Sequence, residues 1–235
     1  MTKNIFLTSV EAAQALITTI IADMDANPNK VFTIALSGGK TPEILYYIWV
    51  RDYALYTDWN RINFYWVDER CVPPTSDKSN FKLAYDHLLN KVAISSNNYY
   101  RILGEAPAQE TALMYSSLVK SRIPSKNEYP QFDYILLGIG DDGHTSSIFP
   151  KDMELLKDYR LYAVTRSPYD DTERVGMTGR ILINARHTYF FVTCHSKQNI
   201  TEQITEIDNE DKYPASYVWN HAHDAQLFAC YTDLV

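Results

Sequence analysis

Val31-Phe32-Thr33-Ile34-Ala35-Leu36-Ser37-Gly38-Gly39-Lys40-Thr41-Pro42 runs from a short apolar segment straight into a glycine pair and the start of a helix. An apolar, branched run of this length, bounded by turn residues, reads as a buried strand. Thr41 is a good N-cap and Pro42 suits the first helical position, so a helix is expected to run to about Val50. A strand passing through a tight glycine turn into a helix is the repeating unit of an α/β fold.

The same grammar extends in both directions. Upstream, Val10–Ala26 carries apolar residues at helical spacing behind Ser9 as N-cap and stops at Asn27-Pro28. Downstream, Ile62–Val67 reads as a strand, Asp68–Lys78 as a long polar loop, and Ser79 as the cap of a helix through Leu89. Gln109–Arg122 is amphipathic, and Asp133–Leu137 is another buried strand running into glycines. Leu161–Thr165, Thr188–Thr193 and Ala225–Tyr231 read as strands and Ser196–Ile207 as a helix. Strand and helix alternate without a linker or repeat. The expectation is one α/β domain over residues 1–235, doubly wound around a mostly parallel sheet, with ligands outside the carboxyl ends of the strands.

Composition narrows the function classes. Of 235 residues, 46% are hydrophobic and 22% charged, which is globular usage rather than disorder. No apolar run reaches the roughly 18 residues of a membrane span, and Met1–Val10 lacks the basic-then-apolar layout of a signal peptide. Three distant cysteines, Cys71, Cys194 and Cys230, fit neither a disulfide framework nor a paired-cysteine zinc site. A soluble, reduced, cytoplasmic protein is expected. The net charge of −7 gives no footprint for non-specific nucleic-acid binding, so an anionic ligand must be met by a few local cations. The eighteen tyrosines are scattered and read as amphipathic packing. Glycine is scarce: seven of the eight fall in three clusters, Gly38-Gly39, Gly138/Gly140/Gly143 and Gly176/Gly179. These mark where the backbone needs unusual freedom.

The chemistry-bearing residues sit at or near these clusters. Ser37-Gly38-Gly39-Lys40-Thr41-Pro42 is an anion cradle: curled backbone N–H groups, a helix start and Lys40 all favour negative charge. It ends like a P-loop, but the first glycine of that motif would fall at Ile34, inside the strand, which argues against a nucleotide triphosphatase. Gly138-Ile139-Gly140-Asp141-Asp142-Gly143 fits a dinucleotide fingerprint, with Asp158 about 20 residues beyond its first glycine. Asp141 and Asp142 would repel a pyrophosphate, so that match is rejected. Asp142-Gly143-His144 is more informative. An imidazole near neutrality, oriented by a carboxylate at a strand end, suits general acid–base work. Asp68-Glu69-Arg70 opens the long loop; Asp68 could orient or accept a proton and Arg70 could grip an oxyanion, although alone the triplet reads as surface charge. Lys197, at a helix start where a cation opposes the dipole, and Arg174, in the third glycine region, complete the set. His87, His187, His195, His221 and His223 show no metal-ligand spacing, and His221-Ala222-His223 reads as loop polarity.

Taken in order, these segments resemble the 6-phosphogluconolactonase family, within the wider glucosamine-6-phosphate isomerase and lactonase superfamily. The likeness is carried by Ser37–Pro42, by Trp66–Pro73 with Ser79-Asn80, by Phe132–Pro150, and by Arg174–Thr178, Asn184-Ala185, Lys197 and Pro214–Ser216. The resemblance implies a three-layer sandwich around a parallel sheet. It also implies hydrolysis of 6-phosphoglucono-1,5-lactone in the oxidative pentose phosphate pathway, without metal or organic cofactor. His144 would be the base that activates water, with Asp142 or Asp68 as its carboxylate partner. Ser37, Gly38, Gly39, Lys40, Arg70, Arg174 and Lys197 would hold phosphate and sugar. The only partner implied is the small phosphosugar, with no nucleic acid or membrane, and the chain would act as a monomer or small homo-oligomer. Cys194 stands where the family usually has glycine, Gly176 and Met177 replace Thr-Leu, and the usual C-terminal Trp-x-x-Asp is not evident around Leu227–Cys230. A sugar-phosphate isomerase or deaminase, or a non-catalytic phosphosugar sensor, are the competing readings. The deaminase pattern places glutamate five residues after the histidine, where this chain has Phe149.

Overall fold

The computed structural model describes residues 1–206 and 208–232. Its strands are β1 (Thr2–Phe6), β2 (Phe32–Leu36), β3 (Ile62–Trp66), β4 (Asp68–Arg70), β5 (Ser125–Lys126), β6 (Tyr129–Pro130), β7 (Tyr134–Leu137), β8 (Tyr162–Arg166), β9 (Glu173–Met177), β10 (His187–Thr193) and β11 (Ala225–Cys230). Its helices are α1 (Ser9–Ala26), α2 (Lys40–Tyr53), α3 (Asn80–His87), α4 (Ala108–Arg122), α5 (Gly179–Asn184), α6 (Gln198–Thr205) and α7 (Pro214–His221).

The central sheet has six strands in the order β1-β11-β10-β7-β2-β3, and every pairing is parallel. Strands buried on both faces read as continuous apolar runs, and β2 and β7 are buried at every position. Helices flank the sheet: α1 and α2 pack on each other and against β10, and α1 and α7 pack against β11. This is the layered α/β architecture expected from the sequence. From β2 the chain winds outward to β3, and from β7 it winds the other way through β10 and β11. The reversal lies between β2 and β7, which is where ligands gather in open α/β sheets. Both glycine-rich loops leave the sheet at this point.

A second sheet was not foreseen. β4, β9 and β8 form a three-stranded antiparallel sheet in the order β4-β9-β8. The segment from Asp68, expected as a polar loop, therefore begins as a strand. Val67 joins the two sheets. Its N–H donates to Leu36 O at 2.9 Å and its carbonyl accepts from Met177 N at 2.8 Å.

Helix starts also differ in detail. The N-cap of α1 is Thr8 rather than Ser9, because Glu11 three residues on closes a capping box: Glu11 N donates to Thr8 Oγ1 and Thr8 N to Glu11 Oε2, both at 3.1 Å. Gly39, not Thr41, caps α2, so Pro42 is the third helical residue rather than the first, and the helix continues past Val50 to Tyr53. The segment expected as one helix over Ser196–Ile207 is a 3₁₀ turn, His195–Lys197, followed by α6; Ile207 lies outside the described residues. β1, β9, α5 and α7 had no counterpart in the sequence reading. His221, read as loop polarity, ends α7 and meets Glu210 at 2.9 Å. Among the described residues no helix is long and apolar enough to cross a membrane.

Candidate active site

A cavity of about 360 Å³ opens at the carboxyl ends of β2, β7 and β10. The expected residues Ser37, Gly38, Gly39, Lys40, Asp68, Arg70, His144, Arg174 and Lys197 all line it. Asp142 stands behind the wall, against His144. These residues come from five separated stretches of chain, and both sheets are needed to bring them together.

The cradle is shaped by backbone. Gly39 has φ +104°, a left-handed conformation that side chains rarely adopt. Gly38 has another reason to be glycine. A Cβ there would overlap the Asn80 carboxamide, which lies directly against the loop. Asn80 in turn holds β4, donating from Nδ2 to Asp68 O at 2.9 Å and to Asp68 Oδ1 at 3.1 Å. Its own Oδ1 is buried and has no partner among the described residues. Ser37 does not offer its hydroxyl to a ligand: Oγ donates to Leu136 O at 2.6 Å, tying β2 to β7. Lys40 is exposed at the mouth. Gly38→Ala is expected to push Asn80 away, with a stability loss of about 1–3 kcal/mol for an overpacked site. Urea unfolding against the parent protein measures it.

Asp68 and Glu69 are buried, so the triplet is not a surface charge cluster. Glu69 is structural. It accepts from Arg70 N, Asn80 N, Phe81 N and Ser79 Oγ at 2.7–2.9 Å, gathering the orphan donors at the start of α3. Burial raises its pKa, against the pull of these bonds. Asp68 accepts from Ser147 Oγ as well as from Asn80, so both its oxygens are engaged.

Arg70 and Arg174 are directly opposite each other on β4 and β9. Like charges at facing positions of an antiparallel pair oppose the pairing. Both guanidinium Nε atoms are buried and have no partner among the described residues. Arg70 Nη1 reaches Lys78 O at 2.6 Å, and Arg174 Nη2 reaches Asp170 Oδ1 only at 3.4 Å. Two facing cations with unfilled buried donors, in a protein of net charge −7, make a receptor for an oxyanion. Lys197 ends the 3₁₀ turn after β10, and its Nζ lies 2.6 Å from Asp141 Oδ1.

His144 is held by the loop after β7. Its backbone N and its Nδ1 both meet Asp142 Oδ1, at 3.1 and 2.5 Å. Burial disfavours ionising Asp142, but the hydrogen bonds and charge of His144, with help from the Tyr169 hydroxyl, prevail and hold the carboxyl well below its usual range. An ionised Asp142 accepts the Nδ1 proton, so Nε2 is the nitrogen with a free lone pair; it has no partner among the described residues. The carboxylate partner of His144 is thus Asp142, not Asp68. Gly140 makes the pair possible. A Cβ there would overlap His144 Nδ1 and stand 2.7 Å from Asp142 Oδ1. The Phe149 ring closes the far side of the imidazole, 4.8 Å between centroids.

Sequence reasoning gave no role to Ser146, Ser147 or Asn80. Ser146 and Ser147 have φ of +53° and +55°, an unusual pair for residues with side chains. Their bonds explain the conformation: Ser146 Oγ donates to Met177 O at 3.0 Å, and Thr165 Oγ1 donates to Ser147 O at 2.9 Å, locking the histidine loop onto the small sheet. Gly176, opposite Asp68, leaves room for Ser146 O. A serine pair before Ile-Phe-Pro carries no local mark of this.

The comparisons with known proteins agree with this arrangement. Residues 8–228 match the family model described as glucosamine-6-phosphate isomerases/6-phosphogluconolactonase. The chain belongs to this family. It is 35% identical over 206 residues to a 6-phosphogluconolactonase of Treponema pallidum, covering 87% of this chain and 84% of that one. The crystal structure of a devB protein superposes with a TM-score of 0.88 at 33% identity, over 97% of this chain and 95% of the other. A 6-phosphogluconolactonase from Trypanosoma brucei gives a TM-score of 0.86 at 25% identity with the same coverage, 97% and 95%. The family match takes in both loops, both arginines and Lys197. Among the described residues no three His, Cys, Asp or Glu side chains converge as a metal-binding group.

Proposed function

We infer that this protein is a 6-phosphogluconolactonase, a carboxylic ester hydrolase that opens 6-phospho-D-glucono-1,5-lactone to 6-phosphogluconate in the oxidative pentose phosphate pathway. The observation that carries the reading is the pairing of an Asp142-oriented His144 with the facing, unfilled Arg70/Arg174 donors in one cavity. Relatives of that name, matched over most of their length, support it.

His144 Nε2 accepts a proton from water as the water oxygen attacks the lactone carbonyl. The carbonyl electron pair moves onto oxygen, and the resulting tetrahedral oxyanion is favoured by the N–H groups and helix start of the cradle. Its collapse breaks the bond to the ring oxygen, which takes the proton back from the imidazolium. Collapse leaves a carboxylic acid and a free hydroxyl, and the acid then gives its proton to solvent and departs as the carboxylate. Asp142 keeps the imidazole in the tautomer that leaves Nε2 basic and steadies the cation formed. Arg70, Arg174 and Lys197 grip the distal phosphate, and Asp68 holds the small sheet to the histidine loop. The protein works as one domain in the cytoplasm, as a monomer or small homo-oligomer, with the phosphosugar as its partner.

Supplying fresh 6-phosphogluconolactone and glucosamine 6-phosphate, and following acid and ammonia release, tests the reading: acid from the first and no ammonia from the second are expected. Phe149, buried against the imidazole, can relay no proton for a deaminase. Ammonia release would overturn the lactonase, and silence on both substrates would leave a phosphosugar sensor. Arg174→Ala is expected to raise KM for the phosphorylated lactone by about 10- to 150-fold, the worth of a charge-assisted contact of roughly 1.5–3 kcal/mol. Unphosphorylated gluconolactone should be almost unaffected. Equal losses on the two substrates would show that Arg174 serves the fold.

A further inference from the structure

Lys197 is the one cation of the site that already holds a carboxylate at close range. Its Nζ stands 2.6 Å from Asp141 Oδ1, while the lysine side chain is 22% exposed and the aspartate 82%. Arg70 has no carboxylate partner among the described residues, and Arg174 has only the long contact to Asp170. Asp141 belongs to the same loop as Asp142 but makes no hydrogen bond that shapes it. The turn closes through Gly143 N to Gly140 O and Gly140 N to His144 O, both backbone bonds, and Asp142 alone orients the histidine. Nor does the fold need Asp141 for burial, since it projects into solvent.

We propose that Asp141 is a resident counter-ion that a phosphate must displace from Lys197, and that it tempers the affinity of the site for phosphorylated ligands. The inference rests on the lactonase reading for its substrate, though the ion exchange itself needs only an anion. Lys197 sits at the start of α6, where a cation opposes the helix dipole, so an anion beside it offsets that cost in the empty site. A tetrahedral dianion brings more charge than one carboxylate, and it also fills Arg70 and Arg174, which Asp141 leaves unfilled. The exchange therefore favours phosphate. A neutral lactone, or one bearing a single weak charge, cannot drive it and leaves Lys197 paired. Asp141 thus lowers the affinity for phosphorylated ligands, which use Lys197, and leaves neutral ones unaffected. This makes Asp141 a residue that tunes phosphate affinity rather than a catalytic one.

The test is Asp141→Asn, with Asp141→Ser as a second replacement that lacks an amide. KM and kcat are measured for 6-phosphogluconolactone and for gluconolactone on the pH plateau of the rate, so that a change in His144 titration does not enter. Binding of inorganic phosphate is measured separately by calorimetry. Both variants should lower KM for the phosphorylated lactone and tighten inorganic phosphate by about 2- to 5-fold, the range of a partly exposed ion pair. The two factors should agree and shrink with added salt, while kcat and the gluconolactone KM stay put. Unchanged phosphate affinity in both variants overturns the proposal, as does an equal KM shift on the two lactones. The phosphate measurement needs no turnover. A protein that binds phosphate more tightly without Asp141, yet opens no lactone, would refute the proposed activity and keep the ion exchange.

Discussion

His144→Ala lowers kcat for 6-phosphogluconolactone by about 10²–10⁴-fold, the usual worth of a positioned general base. KM should move little, because the proposed phosphate grip, Arg70 and Arg174 on β4 and β9 and Lys197 after β10, does not involve His144. Stopped assays must subtract spontaneous opening of the lactone, which sets the floor of the measurable loss. The pH profile carries the same information. A base that acts in its neutral form gives a rate that rises with pH to a plateau. Asp142 adds no second step on this limb: its carboxyl is held well below the ordinary range and stays ionised throughout. An acid limb with two ionisations, or near-full activity in His144→Ala, would transfer the base to another group. Asp68 lines the cavity and is the first to try.

Gly140→Ala should do almost as much damage from a residue with no chemistry of its own. The new methyl would fall on His144 Nδ1 and crowd Asp142 Oδ1, so the imidazole must turn away or lose its carboxylate. Displacing a base by about 1 Å can cost on the order of 10²-fold in rate, and that is the expected loss in kcat. Gly140 carries no positive φ, so the backbone conformation itself tolerates alanine, and the folded protein should persist. The histidine Cε1–H resonance in an NMR spectrum reports the displaced ring directly. Full activity in Gly140→Ala would mean that the tight Asp142–His144 contact is not what orients the base.

The βα units were legible because each strand of the central sheet is buried on both faces and so announces itself as an apolar run. The small sheet was not. β4 is Asp-Glu-Arg and β9 is Glu-Arg-Val-Gly-Met, and neither alternation nor β propensity marks them as strands. Their pairing joins residues about a hundred positions apart, and the charged triplet is buried only by contacts outside its own stretch, with β9, the start of α3 and Ser147. This is also why Asp68-Glu69-Arg70 looked like surface. Motifs that are local in the chain, the glycine cradle and Asp142-Gly143-His144, could be read with their chemistry intact. The carboxylate serving His144 could not be chosen from spacing, because Asp68 and Asp142 differ only in where the fold takes them. Ser147 and Asn80 act through contacts with Asp68 that no short stretch of sequence displays.

The strand at the edge of the central sheet has a consequence for how the molecule comes together. β1 precedes every other described element, yet its partner is β11, which follows them all, with Thr2 beside Gln226 and Phe6 beside Cys230. The α1 helix follows β1 directly and can form early, but the edge it leads from stays open until β11 has been made. Loop-closure entropy must be overcome before this pairing gives anything back, which makes edge docking a late and slow event. Until then β10, and then β11, present free backbone N–H and C=O groups to whatever strand is nearby. A nascent or partly unfolded chain is therefore most prone to pair with another copy at this edge, on the far side of the sheet order from β3 and away from the catalytic loops.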